Sequence, residues 1–423
     1  MKYKGIKMTP IIPYHKNQKF GIVDVELNFL IECKYFQILK PFKFNQGWLC
    51  FTLNERKRYG WIYYENGQIV EIEPQYSAVN YDSQELIGVQ SDDGSWGFVD
   101  HSNQQLISMQ FSKIYPFSNH RAIVSIARKN LGSVWGVVDV NGHWTIHAQY
   151  QYLGEEQSGL RCFKSYVPNQ GNLYGFVSDE TGQEVISAQF SNASHFCDGI
   201  AVVSFGQGKQ QYFSVINSMG EIIADQLKHA ELCAFGYSLI QRTKYLEFIN
   251  KKGQAVLKTK EAKVHQLNFL SNENLNLIRT GRRELIATQY KKKWGFYKVD
   301  DSGVKLQIEH QFDELSDYGF RQQRCAVSID QQAAYIDENG VMKAPLGCTD
   351  VFMDYHGALC TLVKYSLEKP YAFMDQEGQR VIDFKYAMHF GDFDESGLLY
   401  VFKEKGTDIN SGFIDQHGVE YWQ

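Results

Sequence analysis

Proline is scarce in this chain, with eight residues in 423, while aromatics make up 14%. Few prolines and many Tyr and Phe suit a β protein whose core is built from rings. Helical periodicity is weak. Lys228 to Phe235 and Lys258 to Phe269 are the only stretches to consider for helix, and both are short. No apolar run approaches the length of a membrane span. Met1 to Lys19 lacks the apolar core and small-residue cleavage site of a secretory leader. The eight cysteines, at 33, 50, 162, 197, 233, 325, 348 and 360, include no CxxC. Scattered thiols beside apolar residues, as at Cys50, Cys162 and Cys325, read as reduced and cytoplasmic rather than as a disulfide framework.

Motifs for chemistry are missing too. No Cys/His cluster has zinc spacing. His143 and His147 are four apart, but they follow Asn141-Gly142 in an expected strand, where such residues stand about 13 Å from one another. Asp392-Phe393-Asp394-Glu395-Ser396-Gly397 imitates the opening of a calcium loop, yet position 12 is Lys403 instead of a bidentate Glu. Gly206-Gln207-Gly208-Lys209 lacks the third Gly and the following helix of a dinucleotide site. It reads as a turn between strands Ala201–Phe205 and Tyr212–Ile216. No Gly-x-Ser-x-Gly elbow occurs. The expectation is a protein with no catalytic residues, metal or cofactor.

What the chain does have is a period. Trp96-Gly97-Phe98-Val99-Asp100, Trp135-Gly136-Val137-Val138-Asp139 and Tyr174-Gly175-Phe176-Val177-Ser178 are its clearest copies. Eleven copies align on Gly21, Gly60, Gly97, Gly136, Gly175, Phe213, Glu247, Gly295, Ala334, Ala372 and Gly412. The spacing stays near 39 residues except for the 48-residue step from Glu247 to Gly295. A period of this size means a modular array. Each copy opens as a strand and runs into a turn with Asp first and Gly fourth, as in Asp139-Val140-Asn141-Gly142, Asp337 to Gly340, Asp375 to Gly378 and Asp415 to Gly418. A second apolar run completes a hairpin. It ends on a polar-aromatic pair: Gln75-Tyr76, Gln110-Phe111, Gln149-Tyr150, Gln189-Phe190, Gln311-Phe312 or Lys385-Tyr386. An aromatic, a Gly-containing loop and another strand follow, with Phe196 to Val203 as the type copy. One unit is thus three short strands in a meander, or four counting the aromatic pair. A Gly inside a strand marks close approach of a backbone or a ring, and the aromatic before it is expected to pack across the neighbouring unit.

This pattern resembles the WG repeat, found mainly in bacterial proteins. Its consensus is roughly Lys-Trp-Gly-Phe-Ile-Asp, two variable residues, Gly, a short strand, a Tyr-Asp-like pair, then Phe, Gly and an Ala-Val strand. The resemblance runs over nearly the whole chain. It departs at Tyr212-Phe213-Ser214, Tyr245-Leu246-Glu247, Ala333-Ala334-Tyr335 and Tyr371-Ala372-Phe373. The family carries no common catalytic residues, so the resemblance implies a β-repeat scaffold that binds.

Two architectures, both all-β, satisfy about ten to eleven such units: a continuous propeller-like or open superhelical array, or two consecutive rings meeting near residues 250–290, since a single closed ring usually holds about four to eight blades. Residues 1–250 form the first lobe, 251–293 an irregular basic segment or degenerate repeat, and 294–423 the second lobe. The final partial unit is expected to cap the array or to pair with the N-terminal strand near Lys19–Val25, because an open β edge invites aggregation. Net charge is -5, which gives no global pull toward nucleic acid. Locally, residues 251–298 hold 12 Lys/Arg against 3 Asp/Glu, and residues 299–423 hold 10 against 22. Arg279, Arg282, Arg283, Lys291, Lys292 and Lys293 are the candidate partner-binding residues. The expected role is a protein-binding scaffold, monomeric by itself, with neither nucleic acid nor membrane as partner. One concrete form is a bacterial immunity protein that neutralises a toxin, or a protein associated with a secreted effector. The alternative is a glycan binder using Trp48, Trp61, Trp144 and Trp422, which lie outside the Trp-Gly motifs. A third option is a small-molecule hydrolase built around a central cavity.

Overall fold

The computed structural model describes residues 12–421 except 25, 42–47, 54–56, 66–67, 81–84, 130–131, 243–244, 260–262, 265–283, 316–319, 321–323, 331, 343–349, 352–358, 362, 365–370, 376–378, 387, 391–397 and 406–407. Among these residues the regular structure is strand, apart from two three-residue 3-10 turns. The strands form eight four-stranded sheets, three three-stranded sheets and one two-stranded sheet, each of antiparallel neighbours. Residues 228–235, considered for helix, instead carry the strand His229–Leu232 and the start of the 3-10 turn Ala234–Gly236.

The eleven sequence marks fall on equivalent strands. These motif strands are Lys19–Val23, Lys57–Glu65, Trp96–Val99, Gly132–Asp139, Gly171–Ser178, Tyr212–Asn217, Leu246–Ile249, Lys293–Asp300, Gln332–Asp337, Tyr371–Asp375 and Asp408–Asp415. They define modules 1 to 11. In a complete module the order is opening strand, second strand, motif strand and closing strand, paired in that sequence. Module 10 alone is divided between two sheets. The sheet is therefore out of phase with the sequence period. The polar-aromatic pair ends one sheet: Phe190 closes module 5 and Asn192 opens module 6, with only Ser191 between them.

The motif Gly answers to its own sheet. In module 5, Tyr174 stands opposite Phe190 and Phe176 opposite Ile186. Two residues of the motif strand thus face four of the closing strand, which bulges across Gly175. The same offset occurs at Gly21, Gly60, Gly97 and Gly295. A Cβ at Gly175 would stand 2.5 Å from the Ile186 carbonyl oxygen and 2.8 Å from the Ala188 nitrogen. Gly136 meets Ile146 and Ala148 in the same way. The close approach expected at this Gly is therefore the bulged neighbour's main chain. Where the mark is Phe213, only three residues face two, and at Glu247 the ladder is regular.

The ring before the Gly packs against cores that span neighbouring modules, as Phe20, Tyr59, Tyr174 and Trp294 show, and the ring after the Gly does so more deeply. Phe98, Phe176 and Phe296 are buried. They meet Phe117, Phe196 and Phe320 of the following module edge-on, with centroids 4.8, 4.6 and 4.9 Å apart. Trp96, Tyr174 and Trp294 are half-buried.

Turns form a second joint. Asp139 Oδ1 accepts from the N–H groups of Asn141 (2.9 Å) and His143 (2.8 Å), and Gly142 closes the turn at φ 82°. Asp337 and Asp415 do the same, and Asn217 and Asn250 do it with an amide oxygen. The turn Asp375 to Gly378 lies largely outside the described residues. The turn Gly then rests on an Ile of the preceding closing strand: Gly142 on Ile107, Gly220 on Ile186, Gly340 on Ile308, Gly418 on Ile382.

The chain divides into two compact units. One comprises Met1–Ala127, Val138–His143 and Cys348–Gln423, the other Arg128–Val137 and Trp144–Gly347. Segment 251–293 lies within the second. In the first unit the C-terminal residues complete a four-stranded sheet ending in Glu420–Tyr421. Leu398, Phe413 and Tyr421 of that sheet share a core with Ile12, Tyr14, Phe20 and Ile22. The first and last described sheets are joined by side-chain packing, and no strand of one is paired with a strand of the other, the pairing offered as one expectation. In the second unit, modules 5 and 6, 6 and 7, and 7 and 8 each share a core.

Candidate partner-binding surface

An even number of antiparallel strands with short links puts every hairpin between second and motif strand on one rim of its unit. The turns after the motif strands lie on the opposite rim. Modules 5 to 8 of the second unit build four successive hairpins on the first rim. Their second strands are Leu160–Val167, Ile200–Phe205, Ser238–Gln241 and Leu285–Tyr290. The hairpins differ while the frame repeats. Pro168-Asn169-Gln170 turns the first, a 3-10 turn at Gly208–Gln210 the second, and Lys291-Lys292 the fourth. The Gly206–Lys209 stretch is thus a turn, as its composition predicts.

Lys291 and Lys292 occupy a two-residue turn with φ 49° and 67°. Tight hairpins of this hand favour Asn-Gly, and two lysines there hold backbone strain. Both are exposed, and the Lys291 ammonium lies 5.3 Å from the Tyr290 ring centre. Lys293 differs from them: its Nζ is 2.5 Å from Asp313 Oδ1. Hydrogen bonding to Lys293 is the first cause that holds the Asp313 carboxyl below its ordinary range. Arg279, Arg282 and Arg283 lie outside the described residues. The structure therefore brings Lys291 and Lys292 to the rim with no ion pair among the described residues and ties Lys293 to Asp313.

Sequence reading overlooked other cations on this rim. Lys209, Lys228 and Arg242 are exposed, and Lys164 is half-buried with its Nζ 5.8 Å from the Tyr174 ring centre. Arg242 donates to the Asp225 carbonyl oxygen of the preceding module (3.3 Å). Their separation in sequence hid them, since the topology spaces them one or two per module. Two rim carboxylates are already matched: Glu247 with Lys258 (3.4 Å) and Asp313 with Lys293. Tyr166, at 65% exposure, presents an open ring beside them.

Other groups are structural. Among the described residues no group of three or more His, Cys, Asp or Glu is placed to hold a metal. His143 pairs with Asp139 in its turn (3.4 Å), while His147 is exposed on its strand. The Asp392 to Gly397 loop lies outside the described residues. Trp61 is 1% exposed and donates its Nε1–H to the His101 carbonyl oxygen (3.0 Å), so it offers no face to a sugar. Trp144 is half-buried; Trp422 and the Trp48 side chain lie outside the description. Burial pushes the thiols of Cys50 and Cys162 up, as befits inert core groups. Arg161, buried, pairs with Asp179 (2.5 Å) and donates to the Gly154 carbonyl oxygen (3.1 Å). His195 lies against Gly154, its Nδ1 closed off from solvent with no hydrogen-bond partner. Burial holds that imidazole below its ordinary range, against the opposing charge of Glu155.

These features define an all-β tandem-repeat protein, with a bulge facing the motif Gly and variable hairpins on a repeated frame. The family model for the WG containing repeat matches residues 96–129, 135–163 and 174–208, so the chain carries WG repeats across this stretch. Each match begins on a motif strand or within it and runs through the closing strand into the next module's second strand or just beyond. No curated protein matches the chain in sequence. Among solved structures it is similar to a eukaryotic initiation factor, 11% identical over 98% of this chain and 95% of that one, TM-score 0.42. It is similar also to AztD of Citrobacter koseri (9%, 79% and 93%, TM-score 0.26) and TolB of Acinetobacter baumannii (11%, 50% and 61%, TM-score 0.24). No helix among the described residues is long and apolar enough to cross a membrane.

Proposed function

We propose that this chain is a non-enzymatic repeat scaffold that binds another protein. The carrying observation is the contrast between a recurring antiparallel frame and hairpins that differ in length and chemistry from module to module. Binding sites sit on such variable loops while the scaffold holds them in place. One form of this role is an immunity or effector-associated protein of the bacterial cytoplasm, whose rim covers a toxin's working surface. The unpaired cysteines of the described residues fit a reducing compartment. The test is affinity capture with the full chain from its host, followed by calorimetry on the purified pair. A one-to-one protein complex is expected. Failure to recover any stoichiometric protein partner overturns the reading.

A further inference from the structure

We infer that the hairpin rim of modules 5 to 8 receives a carboxylate-rich segment of a protein partner. This rests on the scaffold reading and assigns it a surface and a partner chemistry. Six cations carry it: Lys164, Lys209, Lys228, Arg242, Lys291 and Lys292. None makes an ion pair among the described residues. The neighbouring carboxylates Glu247 and Asp313 are each held by a nearby lysine, so neither neutralises the six rim cations, in a chain whose formal net charge is -5.

The opposite rim of the same unit has the reverse balance. Its turns carry Asp179, Glu180, Glu221, Asp300, Asp301, Asp337 and Glu338, with Lys251 and Lys252 as the exception. Several of these acids are engaged by their own turn: Asp300 accepts from the N–H of Ser302 (2.9 Å) and Asp337 from those of Asn339 and Val341 (2.9 Å each). One rim thus spends its charge on turns, while the other presents it outward. A surface of one sign steers an oppositely charged partner and fixes its register.

The rings on the rim decide between a polypeptide and a single-stranded nucleic acid. Base stacking needs open aromatic faces repeated along the path. Here Lys291 lies over Tyr290, Lys164 over Tyr174, and Phe205 stacks on Tyr212 at 5.2 Å and 18°. Those faces are occupied. They hold ammonium groups in place for carboxylates, and the open Tyr166 suits an anchoring contact with a protein.

The experiment measures binding of a fluorescein-labelled oligoglutamate peptide to the full chain by anisotropy. An oligothymidylate strand and an oligolysine peptide serve as comparators. The multiple variant carries Lys164→Glu, Lys209→Glu, Lys228→Glu, Arg242→Glu and Lys292→Glu; a milder version carries Gln at the same places. Lys251→Glu with Lys252→Glu on the opposite rim is the control. The wild type is expected to bind oligoglutamate more tightly at low than at high salt. The variant should lose roughly tenfold or more in affinity and the control little. Absence of oligoglutamate binding by the wild type overturns the inference. So does equal binding by the Gln variant, or tighter binding of oligothymidylate. A captured host partner that binds wild type and variant alike sinks the rim assignment and leaves the scaffold reading standing. Oligoglutamate binding with no host protein partner sinks the scaffold reading instead.

Discussion

Module 5 carries Gly175 at the motif position and module 7 carries Glu247, and the strands beside them take different paths. Opposite Gly175 the closing strand gains two residues and bulges inward until its main chain occupies the space of a side chain. Opposite Glu247 the ladder continues in register, Glu247 to Lys258 and Phe248 to Leu257. Module 6, with Phe213, is intermediate. The bulge therefore goes with a small residue at the motif position: module 10 keeps the full offset with Ala372, Tyr371 standing opposite Tyr386 and Phe373 opposite Ile382, whereas Phe213 and Glu247 accompany a reduced or absent one. A bulged edge is also a poor template for another strand. The module without the full bulge ends in a closing strand of only four residues, Ala255–Lys258, which limits the same hazard by length.

The largest expected effect breaks that pairing directly. Gly136→Val places a branched side chain where the Ile146 carbonyl oxygen already stands 2.5 Å from an ideal Cβ. The loss should be roughly 3 kcal/mol, seen as an early thermal transition. A wild-type melt would refute this account of the motif. Next comes Gly340→Ala at the turn joint, where φ is 79° and the Ile308 Cγ2 lies 2.9 Å from the added methyl. A cost of about 1–2 kcal/mol is expected from the left-handed backbone alone, read from chemical denaturation.

Smaller still is Glu247→Gly, which puts the consensus residue into module 7. With no bulge to accommodate, it should destabilise by about 0.5–1 kcal/mol through backbone entropy. Stabilisation instead would mean that the regular ladder there is not the preferred one. The smallest effect is a pH dependence confined to modules 5 and 6. The folded-state pKa of His195 is depressed, so its contribution is present above the ordinary imidazole range. It is lost as acidification protonates the unfolded chain first and then the folded one. His195→Gln should flatten the stability profile below about pH 6.5, the unperturbed imidazole value.

The array, its eleven marks and its Asp-to-Gly turns were legible in the sequence because each depends on residues close together in the chain. The phase was not. A period read from Trp-Gly to Trp-Gly does not reveal that Phe190 ends one sheet and Asn192 begins the next. The partner of the motif Gly was half legible: a strand Gly implies close approach, but the bulge that approaches is defined only by the register of Phe176 on Ile186. The charged rim was the least visible feature. Only the compact run around Lys291 stood out, whereas Lys164, Lys209, Lys228 and Arg242 are placed on one rim by topology, and Lys293 is committed to Asp313.

The shared core of Leu398, Phe413 and Tyr421 with Ile12, Phe20 and Ile22 has a mechanical consequence. Most solenoids peel from a loose tip, one layer at a time. Here the first and last described sheets cover one another, so pulling on one draws on the packing of the other. Removing the last two dozen residues should therefore strip the cover from the first sheet, and protease sensitivity should rise at the opposite end of the polypeptide from the cut.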